Sequence, residues 1–488
     1  MAGGTWNQMD EKLLPGLYMN FQAAAASAIQ PGARGTVVVP VKADWGPVRE
    51  FVEISSEQGI RQAFGAQISE KATAASSLYL ALLGGPKKLF AYRLADASAK
   101  VAELKLKSKD DKDLLLLSAK YPGARGNSFR MTVQPSVTDP AVKEIKLYEG
   151  TALLRTFNAG SGSAEAAREA INGDSENVWV TAQAAADAAD STLAEIASAA
   201  FAGGASGIDS LTNADYIAAQ AALETQSFDV LALDGVTDSA LQQSFAAWTK
   251  RVRQEGKQVL LVLGGSLADD TAAKAPALAS ARSALLNHEG IINVGTGARL
   301  NGTDYSSAQI SAYVAGLIAG QRLNESTTYA VTPFEDVTRR WTRTEQEDAV
   351  RGGVFILFHD GRQVKVLRGM NSLITPRSGQ NKGWSKIRTV RVMDAITSDL
   401  QRSAEETYIG RVNNTEEGRL ALIGACKAYL AQLAGSGVIE ANGYDVTLDP
   451  AYYGPGASLT PQPDQVYLQW NARLTDVMEQ LFGTFYVQ

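Results

Sequence analysis

The chain is poor in the side chains from which most enzyme and metal sites are built. One cysteine, Cys426, and two histidines, His288 and His359, stand among 488 residues. A single cysteine excludes an intrachain disulfide and a cysteine-based metal site within one chain. Cys426 lies in an apolar helical stretch and is expected to pack as a small hydrophobe, which fits assembly in a reducing cytoplasm. Histidine is the commonest general acid or base. His288 ends a predicted helix and His359 abuts a predicted turn; neither has a partner motif, and both are expected at the surface. No uninterrupted apolar run reaches about 18 residues, so no transmembrane helix is expected. Residues 1–16 lack the basic region and apolar run of a signal peptide. There is no GxSxG elbow, HExxH helix, EF-hand loop or phosphate-loop signature. Basic and aromatic residues do not interleave as they do in nucleic-acid grooves.

What is present describes a globular chain: 45% hydrophobic, 20% charged, net charge −6. Such a length calls for two or three domains. The charge is uneven. Residues 339–411 hold 14 Lys or Arg against 8 Asp or Glu, a basic stretch able to sit against an acidic partner.

The texture along the chain changes several times. Residues 1–30 have little periodicity and read as an arm. Residues 35–41 (GTVVVPV) and 88–94 (KLFAYRL) read as strands, with helices at 56–64 and 73–83. From about residue 97, alternating segments at 100–107, 114–117, 129–133, 144–148 and 152–157 predict a β-rich insert. A helix at 164–171 and a strand at 178–181 follow, and the insert ends in the Ala/Gly/Ser-rich stretch 182–207. Strands at 229–233, 258–263 and 290–294 then alternate with helices at 214–224, 238–254, 272–287 and 307–322. That order predicts βαβ units and a mostly parallel sheet, which the strands at 35–41 and 88–94 join. The last third is mixed α+β. Thr344 through Glu347 fits a capping box with Thr344 as N-cap. Residues 354–358 and 363–367 around Asp360-Gly361 predict a hairpin on a two-residue type I′ turn. Helices are predicted at 390–402 and at 416–433, the second with Leu420, Ile423, Leu430 and Leu433 on one face. The implied domains are 1–30, 31–96, 97–207 (inserted), 208–335, 336–475 and a C-terminal arm, 476–488.

Two glycine clusters follow predicted strands: Gly264-Gly265-Ser266 and Gly295-Thr296-Gly297. Ligands of open α/β sheets bind beyond the strand carboxyl ends, so Asp234, Ser266 and Asn301 would border a crevice there. Ordinary loop turns also account for these residues. The acidic pairs Asp269-Asp270 and Glu335-Asp336 read as solvated or capping groups. An α/β enzyme or nucleotide-binding protein using the Gly264/Gly295 crevice is one reading; a self-assembling shell protein is another.

The chain ends are the more informative feature. Leu17, Tyr18, Met19, Asn20 and Phe21 at one end, and Thr484, Phe485, Tyr486 and Val487 at the other, are strand-competent without an evident local partner. Backbone N–H and C=O groups must be paired somewhere, and joining a neighbour's sheet edge is one way. Head-to-tail strand exchange generates an open tube or filament. Pairing within the same chain is the alternative.

Several segments together resemble the contractile tail sheath proteins of phages and phage-tail-like bacteriocins, closest to the Gram-positive prophage type. They are LPGLYMNF at 14–21, Arg34-Gly35 before residues 36–40, Ala43-Asp44-Trp45-Gly46-Pro47, and AKYPGARGN at 119–127. KVLRGMNSL at 365–373, WSKIR at 384–388, RVMDAI at 391–396 and YIGRVNN at 408–414 extend the likeness. The resemblance implies a structural subunit, not an enzyme, with no cofactor, no nucleic acid and no membrane contact. It implies stacked six-fold rings of copies around an inner tail tube, together with baseplate and tail terminator proteins, in a virion tail or tail-like particle. Contraction from a metastable packing drives the tube through the target envelope. It makes the two ends tethers, received by a sheet including Val354, Phe355, Ile356, Val364 and Val366 in a C-terminal sheath core domain. Lys386, Arg388 and Arg391 are expected to face the tube.

Overall fold

The structure is a computed structural model. It describes residues 29–186 and 191–487, together with the backbone of Gly3–Gly4 and Leu17–Tyr18. The chain divides into two compact units, one spanning 34–390 and one formed by 1–33 with 391–488.

The larger unit is built on a six-stranded sheet. Its spatial order is Ile291–Val294, Leu260–Gly264, Val230–Ala232, Thr36–Lys42, Lys88–Leu94 and Phe51–Glu53. All neighbours are parallel except Phe51–Glu53, which runs antiparallel to Lys88–Leu94. The central strands are apolar along their whole length, and Val37, Val38, Val39, Leu261 and Val262 are completely buried, as strands covered on both faces must be. Val38, Leu231, Leu233, Leu261 and Leu263 share a core with helices Asn213–Thr225 and Ser239–Gln254. Helices Ala74–Leu83 and Ser307–Gly320 also lie on this sheet and touch each other backbone to backbone. A Cβ on Gly316 would stand 2.2 Å from the Ala81 carbonyl oxygen, so only glycine permits that approach.

The sheet does not stop at residue 294. Phe355 N donates to Asn293 O at 2.8 Å, and Gly295 N donates to Phe355 O at 2.9 Å. The chain then turns through the hairpin Leu357–His359 and Val364–Val366. Val364–Val366 is flanked in turn by residues 329–332, with Tyr329 N donating to Val366 O and Thr332 N to Val364 O. Residues 336–390 are therefore part of the body, and the boundary expected at 335/336 is not where the chain divides.

Two local expectations shift. The hairpin loop has four residues, 360–363, because the Asp360 carboxylate accepts from the backbone N–H groups of Arg362 and Gln363 and holds a wider turn. The helix Arg343–Arg351 is capped by Thr342, not Thr344. Glu345 stands at its third position and accepts from Thr342 N at 2.7 Å. Both threonines precede a glutamate by the right spacing, and the earlier one lengthens the helix.

The inserted domain contains a four-stranded sheet, ordered Ala152–Asn158, Lys143–Glu149, Phe129–Pro135 and Ile196–Ala200. Its second sheet is ordered Val180–Ala184, Asp113–Ala119 and Glu103–Lys107. Phe129, Met131, Val133 and Leu147 from one sheet meet Leu106, Leu115, Leu117 and Val180 from the other in a shared core. The helix Ala164–Asn172 closes one side, where the Asn172 amide exchanges two hydrogen bonds with Ala182 as a strand would. The strand Ile196–Ala200 falls in the stretch expected to end the insert. Its Ala- and Ser-rich sequence carries no alternation, and it is fixed by pairing to Phe129–Pro135.

Candidate assembly surfaces

The second unit holds the helix Glu416–Gly435, most of the helix Ile387–Ser403, and the antiparallel hairpin Ile439–Leu448/Leu468–Leu474. Asp399 gathers it together. It is 1% exposed and accepts from Gly32 N at 2.8 Å and Tyr429 OH at 2.7 Å. Arg402 adds a bond to Gln30 O at 2.6 Å. The described start of the chain is thereby fastened to the same unit that carries the chain's other end. Ile439 and Val446 are completely buried where the helix Glu416–Gly435 packs on the first hairpin strand. Cys426 is buried in that helix, as its apolar neighbours suggested. Leu420 is not on the buried face: it is 57% exposed, one turn before the packed stretch begins.

Pairing sets Trp470 across from Val446 and Leu468 across from Leu448, giving one apolar face, and Trp470 is 37% exposed. Among the described residues no third strand joins either outer edge of this hairpin. Residues 476–487 follow without regular structure. Met478, Leu481, Phe482, Phe485, Tyr486 and Val487 are each more than four-fifths exposed, and Thr484 is exposed with them. Six exposed large apolar residues within ten positions mark an interaction segment. At the other end, Leu17 and Tyr18 pair in parallel with Gly3 and Gly4; Met19, Asn20 and Phe21 lie outside the described residues.

The hairpin expected to receive a strand is unsuited to it. Val354, Phe355, Ile356, Val364 and Val366 are at most 1% exposed. Their ladder is taken on one side by Asn293 and Gly295 and on the other by residues 329–332. Of the residues expected to face a tube, Lys386 and Arg391 are half-buried. Arg388 is 5% exposed and does not present its charge outward.

The glycine crevice is filled. A Cβ on Gly264 would lie 2.2 Å from Ser307 C, and one on Gly295 2.3 Å from Val354 Cγ1. Ser266 caps the helix Leu267–Thr271 with Asp269 as its reciprocal partner. Asn301 occupies a left-handed turn. Asp234 is buried on Tyr216 OH at 2.7 Å and on Thr73 Oγ1, and burial raises its carboxyl above the ordinary range. Asp270, expected in a solvated loop, is buried. It accepts from Ser307 N and from Ser307 Oγ at 2.7 Å, and burial lifts its pKa to about 7. His288 is likewise buried, at 3% exposure, with its backbone N–H donating to Ser372 Oγ at 3.3 Å; burial pulls its imidazole down to about 4. Each of these groups is spent on holding loops together.

Family models cover nearly the whole described chain. Residues 34–94 match the N-terminal region of domain III of tail sheath protein Gp18, and 95–206 match the phage tail sheath protein beta-sandwich domain. Residues 209–372 match the sheath central domain and 379–488 the sheath C-terminal domain. The chain is also 30% identical over 419 residues to the phage-like element PBSX protein XkdK of Bacillus subtilis (strain 168), covering 82% of each.

The chain belongs to the phage tail sheath family.

The crystal structure of a sheath tail protein from Desulfitobacterium hafniense shares the fold at 27% identity and TM-score 0.70, covering 94% of this chain and all of that one. The helical sheath of the anti-feeding prophage in its contracted state shares the fold at 14% identity and TM-score 0.55, covering 98% of this chain and 99% of the other. The protein is thus a structural subunit of a contractile tail sheath. In this sheath subunit the exposed tail and the unpartnered hairpin belong to one compact unit, while the buried acids and glycine loops of the larger unit serve its packing.

Proposed function

We propose that copies of this subunit polymerise helically around an inner tail tube and contract to drive the tube through a target envelope, without catalysis. The observation that carries this reading is the pairing, in one unit, of a tail whose large apolar side chains are exposed with a sheet that has two strands among the described residues. An added strand satisfies the hairpin's free N–H and C=O groups and hides the tail's apolar side chains. The donors are Thr484, Phe485, Tyr486 and Val487 at one end and Leu17, Tyr18, Met19, Asn20 and Phe21 at the other. The receiver is the hairpin Ile439–Leu448/Leu468–Leu474, not the one at 354–366. Contraction then lets the larger units rearrange while the smaller units stay tethered, and the energy comes from repacking, not from a nucleotide.

Stacked six-fold rings, a tail tube protein, baseplate and terminator proteins as partners, and assembly in the host cytoplasm complete the reading. Lys386 and Arg391 remain the candidates for the tube side; reversing both charges should weaken binding of purified tube, and unchanged binding would remove them from that role. Negative-stain microscopy of the purified subunit tests the reading as a whole. Tubes are expected. A homogeneous monomer at every concentration, or a closed small oligomer, would count against it.

A further inference from the structure

We propose that Arg93, Asp44 and Trp45 weld the inserted sandwich to the α/β body, so that the two move and unfold as one piece. The insert leaves the body after Leu94 and returns near residue 207. Two single-chain crossovers of this kind are the ordinary place for a hinge. Here three chain segments instead converge on one guanidinium. Arg93 is completely buried near the end of the inner strand Lys88–Leu94. Its Nη1 donates to Gly46 O of the body at 2.6 Å and to Pro122 O of the insert at 2.7 Å, and its Nη2 donates to Ser206 O of the returning crossover at 3.0 Å. The planar fork holds these donors in fixed directions, whereas a lysine ammonium presents its donors from one atom on a flexible stem.

Asp44 binds the same junction from the body side. Its Oδ1 accepts from Ser206 Oγ at 2.8 Å and from Ser69 Oγ at 2.6 Å, and its main-chain oxygen accepts from Arg125 N of the insert. A Cβ on Gly123 would stand 1.9 Å from that oxygen, so the two backbones touch. The crossovers also pair with each other, Lys100 with Ala205 and Asp96 N with Gly207 O. Trp45 is the key in this lock. It is a residue of the body, yet it lies in the insert's core, edge-on to Tyr121 at 5.5 Å and to Phe129 at 5.3 Å. The Arg125 guanidinium sits 5.4 Å from its ring and forks onto Glu149. The insert's core is incomplete without a side chain lent by the body. For the sheath this means that load on the insert reaches the central sheet through strand Lys88–Leu94 and does not dissipate in flexible linkers; that consequence rests on the sheath reading, the weld itself does not.

Hydrogen exchange on the full-length, unassembled subunit separates the two ideas. In Arg93→Met, amides at 96–100, 123–125 and 203–208 should exchange about tenfold faster while those of Leu260–Gly264 stay as protected as in the wild type. Unchanged crossovers, or a uniform rise that includes Leu260–Gly264, would overturn the weld. Should Arg93→Met not yield folded protein, Arg93→Lys and Trp45→Ala carry the test. Arg93→Lys should give a smaller rise at the same amides. Calorimetry of Trp45→Ala should show the insert melting ahead of the body, where the wild type melts in one transition. A wild-type insert that melts separately, or Trp45→Ala melting in one transition with no exchange change in Arg93→Lys, would refute it.

Discussion

At Asp44 two opposing effects meet. Burial alone would raise its carboxyl, but hydrogen bonds from Ser69, Ile68 and Ser206 outweigh burial and hold the pKa below 3.8. A depressed carboxylate contributes stability above its unfolded pKa, and that contribution is lost as pH falls through the lower folded value. The melting-temperature gap between wild type and Asp44→Asn should therefore be constant above about pH 5 and shrink below about pH 4; a gap independent of pH would contradict this. Its size above pH 5 should correspond to about 1–3 kcal/mol, because the amide replaces a charged acceptor that Ile68 N, Ser69 N, Ser69 Oγ and Ser206 Oγ share. Cys426 is the opposite case. At 1% exposure, burial pushes its thiol up to about 12, so thiol reagents at neutral pH should titrate it only after denaturation. Equal labelling of native and unfolded protein would show that the helix face is open. The burial of Cys426 could be read from its apolar neighbours. That of His288 could not, because the Ser372 hydroxyl that accepts from its backbone N–H lies 84 residues along the chain.

Elements were legible where periodicity was strong and the packing partner was near in sequence. The parallel strands and their helices follow from alternating apolar runs and caps. The strand Ile196–Ala200 does not, since Ala and Ser have no preferred face. The strands at 354–366 were readable as strands, but what lies beside them was not. Asn293 and Gly295, which close one edge, belong to a segment more than fifty residues earlier, so the occupation of that edge could not be read locally. The capping of Arg343–Arg351 gives a direct check. Thr342→Ala should cost about 1 kcal/mol in urea unfolding, and Thr344→Ala less than about 0.5 kcal/mol. The reverse order would restore the later cap.

For the whole molecule, the division at residue 390 assigns different tasks to the two units. The larger unit, 34–390, is a sheet-centred body in which Asp234, Asp270 and the glycines at 264 and 295 are taken up by packing. The smaller unit ties residues 30–32 to Asp399 and Arg402 and exposes residues 478–487. Because residues 476–487 bury little, deleting 476–488 should leave the thermal unfolding of the isolated subunit within about 2 °C of wild type while ordered tubes are lost. Loss of the fold would mean that the tail belongs to a core. The most direct measurement is an electron cryomicroscopy map of the polymer that traces both chain ends. The account predicts residues 484–487 of one copy running as a strand along the free edge of Ile439–Leu448 or Leu468–Leu474 in another. Finding them folded back on their own hairpin, or loose in solvent, would contradict it.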